Sequence, residues 1–194
     1  TMNTSNFDDL MLVMGDSEAG QYFTGMGFQW EGKDVLKQIH GALPQMKMMC
    51  TENECGSGTF DWPAAEKTFD NIKTYLEGGC GAYMYFNMIL KDKGTSSWGW
   101  DQNVLVRVDS KTHTAQFTPE FYLMKHFSHY VTPGSVFLGT AGTFGEALAF
   151  QRPDGKIVIV AAEKTGEAVA LNIEVGKRKV SATLQPDGIT TILI

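Results

Sequence analysis

The chain has 194 residues, is 43% hydrophobic and carries a formal net charge of −6, enough for one large core or one and a half small ones. The acidic balance, with no basic run longer than Lys177-Arg178-Lys179, excludes nucleic acid and anionic membrane surfaces as partners. No run of about twenty apolar residues supplies a membrane span. Three cysteines, Cys50, Cys55 and Cys80, leave an odd one over and show no metal-ligand spacing with histidine, so buried free thiols are expected and no cofactor is.

Residues 8–133 alternate short apolar runs with longer amphipathic stretches, whereas 134–194 carry closely spaced strand signals. The opening Thr1-Met2-Asn3-Thr4 has neither the basic region nor the apolar run of a signal peptide, and a chain that starts on Thr reads as cut or processed. Asp16-Ser17-Glu18-Ala19 reads as a helix start, with Asp16 as N-cap and acids in the first turn. Residues 22–30 form an apolar run ending on Gln29 and Trp30, a strand whose tip can reach a ligand. Residues 35–43 read as a short helix ended near Pro44, and 47–51 as the next strand.

That strand runs into Thr51-Glu52-Asn53-Glu54-Cys55-Gly56-Ser57-Gly58. A buried strand ending on an acid is how a barrel enzyme presents catalytic groups at the C-terminal face of its sheet, which singles out Glu52; Glu54 shares its face if the strand continues. The competing reading is an acidic loop that caps the next helix. That helix is expected over 64–76, with Phe69, Ile72, Tyr75 and Leu76 on one side and Gly78-Gly79 as its stop. Residues 81–88 read as a third strand, giving three consecutive β/α units with right-handed crossovers.

The connection over 91–100 holds Trp98 and Trp100. Exposed paired tryptophans in a glycine-containing loop are a poor use of the residue unless something stacks on them. Residues 119–130 read as a helix with Thr118 as cap and Pro119 in its first position. Its His126 and His129 stand three apart with no third ligand, so they are expected to line a helix interface rather than hold a metal. Beyond them, 147–152, 157–162, 168–175, 179–184 and 189–194 read as strands. Turn chemistry at Pro153-Asp154-Gly155-Lys156 and Pro186-Asp187-Gly188 separates some of them, as in a small antiparallel sandwich. No acids or histidines cluster there, which suits a structural role.

Four motifs in order, Gly27-Phe28-Gln29-Trp30, Thr51-Glu52-Asn53-Glu54-Cys55-Gly56, Tyr83-Met84-Tyr85-Phe86-Asn87-Met88 and Ser97-Trp98-Gly99-Trp100-Asp101-Gln102-Asn103, together resemble glycoside hydrolase family 30, the glucosylceramidase and β-1,6-glucanase group. The likeness continues through residues 118–130 into the strand-rich tail. It implies an α/β plus all-β chain: the C-terminal portion of a (β/α)8 TIM barrel, about strands six to eight, over 1–133, fused to a β-sandwich over 134–194. In the family the nucleophile ends the seventh strand, which maps onto Glu52. The acid/base stands in an Asn-Glu pair at the end of the fourth strand, and no Asn-Glu precedes Glu52 here, so that residue is expected outside this chain.

The resemblance therefore implies a retaining β-glycoside hydrolase for the complete protein, secreted or periplasmic, acting on a β-glucan, oligosaccharide or glucoside. Gln29, Trp30, Phe86 and Asn87 are expected to line the sugar site, with Trp98 and Trp100 stacking on the ring. Phe86 stands where many members have Trp, and Glu31 where others have Tyr or Ala. The Gly-Phe-Gln-Trp and Ser-Trp-Gly-Trp stretches look more like the β-1,6-glucanase branch than like lysosomal glucosylceramidase. The alternative is an inactive fragment or module that binds carbohydrate through Trp30, Trp98 and Trp100. Because three barrel strands cannot close, the missing N-terminal barrel half or a second copy of the chain is the expected partner.

Overall fold

The computed structural model describes residues 1–194 as two compact units, Thr1–Thr59 with Asp70–Gln116, and Phe60–Phe69 with Phe117–Ile194. In the first, helix α1 spans Phe7–Met14, where the Asn6 side chain accepts the Asp8 N–H and Asp8 and Asp9 occupy the first turn. The helix thus precedes Asp16 instead of coming after it. Asp16 still caps, accepting the N–H groups of Glu18 at 3.0 Å and Ala19 at 2.7 Å, but it leads only into the 3-10 turn Gly20–Tyr22. The chain doubles back so closely that a Cβ on Gly20 would lie 2.5 Å from the Met14 carbonyl oxygen.

Strands β1 (Gly25–Gln29), β2 (Lys47–Glu52) and β3 (Ala82–Tyr83) form a parallel sheet in the order β1-β2-β3. They are linked by the short helix α2 (Leu36–Ala42) and by the 16-residue α3 (Trp62–Glu77). The β/α order expected from the sequence is present, with two changes. The third strand pairs over two residues, flanked by the Gly81 N–H donating to the Met48 carbonyl at 2.9 Å and the Met84 N–H donating to the Cys50 carbonyl at 3.1 Å. On the free side of β1, Met2 adds a parallel bridge to Phe28, its N–H donating to Gly27 at 2.7 Å and its carbonyl accepting from Gln29 at 2.8 Å. Gly32 makes room for this segment, since a Cβ there would stand 2.5 Å from the Met2 carbonyl oxygen.

One side of the sheet is closed by Phe28, Leu36, Ile39, Cys50 and Tyr75, all buried. Each large apolar side chain of this kind contributes about 1.5–3 kcal/mol by leaving water. After β3 the chain enters a small separate sheet in the order β4-β5-β6, made of Ile89–Lys91, Val106–Val108 and Ala115–Phe117. Strands of three residues with mixed polarity leave no periodic signal.

In the second unit α4 spans Pro119–Tyr130 as expected, with Thr118 accepting the Phe121 N–H and proline in the first turn. His126 Nδ1 lies 2.7 Å from Thr191 Oγ1, and the His129 ring meets the edge of Tyr130 at 4.8 Å. Strands β7 (Val136–Leu138), β8 (Ala147–Gln151), β9 (Ile157–Ala162) and β12 (Ile189–Leu193) make an antiparallel sheet in the order β12-β9-β8-β7. Strands β10 (Val169–Val175) and β11 (Arg178–Leu184) form a hairpin closed at the Val175–Arg178 pair. Ala161, Leu171 and Leu184 form a buried cluster, with Phe144 and Ile192 packed against it. Of the strands in this unit, β7 alone has no counterpart in the sequence reading.

Candidate active site

The site starts from a slip in register. Strand β1 pairs with β2 residue for residue up to Phe28–Cys50, then Gln29 faces Glu52, so Thr51 is an extra residue on β2. Simple alternation would put Glu52 on the face of Met48 and Cys50, which is buried in the core. The bulge resets that alternation. Glu52 comes to the face opposite Phe28, where Gln29 also points. Gly27 makes the bulge possible, because a Cβ there would stand 2.7 Å from Thr51 Cγ2. The Thr51 hydroxyl fixes it by donating to the Phe28 carbonyl at 3.2 Å.

Each oxygen of the half-buried Glu52 carboxylate then accepts one N–H: Gln29 Nε2 at 3.2 Å on Oε2 and Trp30 Nε1 at 3.1 Å on Oε1. Two neutral donors hold the carboxylate in place, one on each oxygen. Trp30 reaches it from an uncommon backbone position, with φ of +44°, a left-handed conformation unfavourable for a bulky residue. Lys33 Nζ donates to the Trp30 carbonyl at 3.1 Å and pairs with Glu54 Oε1 at 2.7 Å. Glu54 therefore does not share the face of Glu52; β2 ends at Glu52, and Glu54 turns to the lysine. Nor does this acidic pair cap the next helix, since Asp61 accepts the Ala64 N–H at 3.1 Å at the start of α3.

The loop after Glu52 is tied together by Asn103, which is fully buried. Its Oδ1 accepts the N–H of Gly58 at 2.7 Å and of Thr59 at 3.2 Å, and its own backbone N–H donates to the Cys55 carbonyl at 2.5 Å. Gly56 is required where it stands: its φ is +71°, and a Cβ would lie 2.6 Å from Asn103 Oδ1. Burial pushes the thiols up, Cys50 to about 11 and Cys80 to about 12, while Cys55 is raised by burial and then by the charges of Glu52 and Glu54. Neutral thiols next to a carboxylate are poor nucleophiles.

Of the residues singled out in the sequence, Gln29, Trp30 and Glu52 come together directly. Asn87 Nδ2 donates to Gln102 Oε1 at 3.1 Å, and the neighbouring Phe86 is 42% exposed. Trp98 and Trp100 stack on each other with ring centroids 5.3 Å apart and planes 9° from parallel, while remaining 77% and 53% exposed. An open aromatic pair of this kind presents a flat apolar face to solvent. Sequence reasoning missed Lys33, Asn103 and the role of Gly27. Asn103 could have been suspected from the Cys55-Gly56-Ser57-Gly58 turn, whose N–H groups need an acceptor. Lys33 carries no periodic signal and emerges only once β1 and β2 are aligned.

Residues 5–131 match the glycosyl hydrolase family 30 TIM-barrel domain, and residues 134–192 match the glycosyl hydrolase family 30 β-sandwich domain. The chain belongs to glycosyl hydrolase family 30, and its fold is a portion of that TIM barrel with the β-sandwich attached. Lysosomal acid glucosylceramidase of Mus musculus is 25% identical over 181 residues, 84% of this chain and 35% of the relative. Putative glucosylceramidase 1 of Caenorhabditis elegans is 30% identical over 169 residues, 78% of this chain and 32% of the relative. Among solved structures, SrfJ from Salmonella typhimurium superposes with a TM-score of 0.85 at 20% identity, covering 99% of this chain and 46% of that one. An endo-β1,6-glucanase gives 0.81 at 19% identity, covering 97% and 46%. The chain thus spans about a third of the length of these curated relatives and under half of these solved chains.

Proposed function

We propose that these residues carry the nucleophile half of a retaining β-glycoside hydrolase, with Glu52 as the nucleophile and residues 1–133 as its part of the barrel. The observation that carries this reading is the carboxylate held at the end of β2 by Gln29 and Trp30, one donor to each oxygen. An ionised Glu52 attacks the anomeric carbon as the bond to the leaving oxygen breaks. A carboxylic acid roughly 5 Å away protonates that oxygen. Water, deprotonated by the same residue, then cleaves the glycosyl ester and restores Glu52.

Glu54 is a poor candidate for that acid, because it is already paired with Lys33. The acid/base is therefore assigned to a part of the protein outside these residues. Asn87 and the Trp98–Trp100 pair supply a polar contact and an aromatic platform for the sugar, and a β-linked glucoside, of the β-1,6-glucan type ahead of glucosylceramide, is the proposed substrate. In the full-length protein, Glu52→Gln should lower kcat on an aryl β-glucoside by ~10³-fold or more while leaving the fold intact. Turnover within about tenfold of the parent would remove Glu52 from the role. The stacked tryptophans also favour a second reading, carbohydrate binding without catalysis, under which the full-length protein binds glucan but hydrolyses none.

A further inference from the structure

The Lys33–Glu54 pair has no role in the glycosyl transfer described for Glu52, yet it is joined to Trp30, which donates to that carboxylate. Trp30 places its indole N–H on Glu52 with its backbone in the left-handed region, at φ +44°. Such a conformation costs a non-glycine residue on the order of 1–3 kcal/mol and persists only where its surroundings over-determine it. Lys33 supplies that constraint. Its ammonium donates to the Trp30 carbonyl at 3.1 Å, and the same nitrogen is anchored 2.7 Å from Glu54 Oε1, two residues beyond Glu52. Both side chains are partly buried, so their attraction is screened less than that of an exposed pair.

The three links form a closed loop: Glu52 to the Trp30 indole, the Trp30 carbonyl to Lys33, and Lys33 to Glu54 on the same strand extension as Glu52. We propose that Lys33 and Glu54 are positioning residues that lock the strained Trp30 backbone and so set the distance between its indole N–H and Glu52. The pair ties the tip of β1 to the end of β2 immediately past the bulge. Its loss lets Trp30 relax toward ordinary φ values and withdraw its N–H from one carboxylate oxygen. The inference rests on Glu52 being the nucleophile for its kinetic consequence, but not for its structural one.

The test uses the full-length protein with Lys33→Met, Glu54→Gln, the double variant and Lys33→Arg. It reads kcat and KM on an aryl β-glucoside, together with the Trp30 indole N–H resonance by 15N NMR. Each single variant should lower kcat by roughly 10- to 100-fold, the scale of one hydrogen bond to a charged group, with KM changed less than about threefold and the Trp30 resonance moved. The double variant should be no worse than either single one, because both break the same link. Lys33→Arg, which keeps a donor and a charge, should recover part of kcat.

If Lys33→Met leaves the Trp30 resonance in place, the lock does not exist. If it moves the resonance but spares kcat, the lock exists and has no catalytic use, which also overturns the proposal. Should Lys33→Met fail to fold, Glu54→Gln and Lys33→Arg decide by the same two readouts. Intact turnover in Glu52→Gln would instead sink the nucleophile assignment, while a moved Trp30 resonance in Lys33→Met would still stand.

Discussion

Glu163 is one of two buried acids of the second unit, with Glu120, and its chemistry is the reverse of a catalytic one. The Thr165 hydroxyl first, and then the backbone N–H groups of Thr165, Asp187 and Gly166, hold its carboxyl below the ordinary 4.5 against the opposing effect of burial. A depressed carboxyl stabilises the fold above its unfolded value, and that stability is lost as pH falls through the folded value. Glu163→Gln should therefore lower the melting temperature at neutral pH and shrink the loss that the parent suffers on acidification through the carboxylate range. Equal losses in parent and variant would show that Glu163 contributes nothing to acid stability. At this scale the sequence was legible where chemistry and position coincide. Glu52 stands out because an apolar run stops on it, whereas Lys33 and Glu163 look like any surface charge until a fold brings a partner or a ring of N–H groups to them.

Among elements, the site depends on the bulge at Thr51 more than on either strand alone. A one-residue slip reverses every side chain beyond it, and here it lifts Glu52 out of the core face. Gly27→Ala places a methyl 2.7 Å from Thr51 Cγ2, and relieving that contact should cost about 1–3 kcal/mol. A lower midpoint in denaturant together with a much reduced kcat is the expected result; full activity would mean that the slip survives without the glycine.

The long helices and sandwich strands were readable because their periodicity and turn residues agree, as at Thr118-Pro119 and over Ile157–Ala162. The helix expected after Asp16 is instead a turn, because an Asp ahead of small and acidic residues caps a turn as well as a helix. Strands β4 to β7, three residues each, are too short to carry a pattern, and the bulge itself has no signature in alternation.

Across the whole molecule, the parallel sheet of the first unit holds three strands and one bridge; parallel sheets normally have both faces covered, and closure into a barrel removes their free edges. Met84, Phe86, Met88 and Ile89 are exposed in the segment after β3. The 194-residue chain by itself should therefore associate with further copies or with the remainder of the barrel, as sedimentation velocity would show. A monodisperse monomer that unfolds in one cooperative step would contradict this.

Trapping the glycosyl ester reads out whether Glu52 is the nucleophile of a retaining glycosidase. The full-length protein is treated with a 2-deoxy-2-fluoro-β-glucoside bearing a good leaving group, digested and sequenced by mass spectrometry. The predicted result is one fluoroglucosyl ester, carried by Glu52. An ester on another carboxylate, or an active enzyme that releases product with inverted configuration, would remove Glu52 from that role.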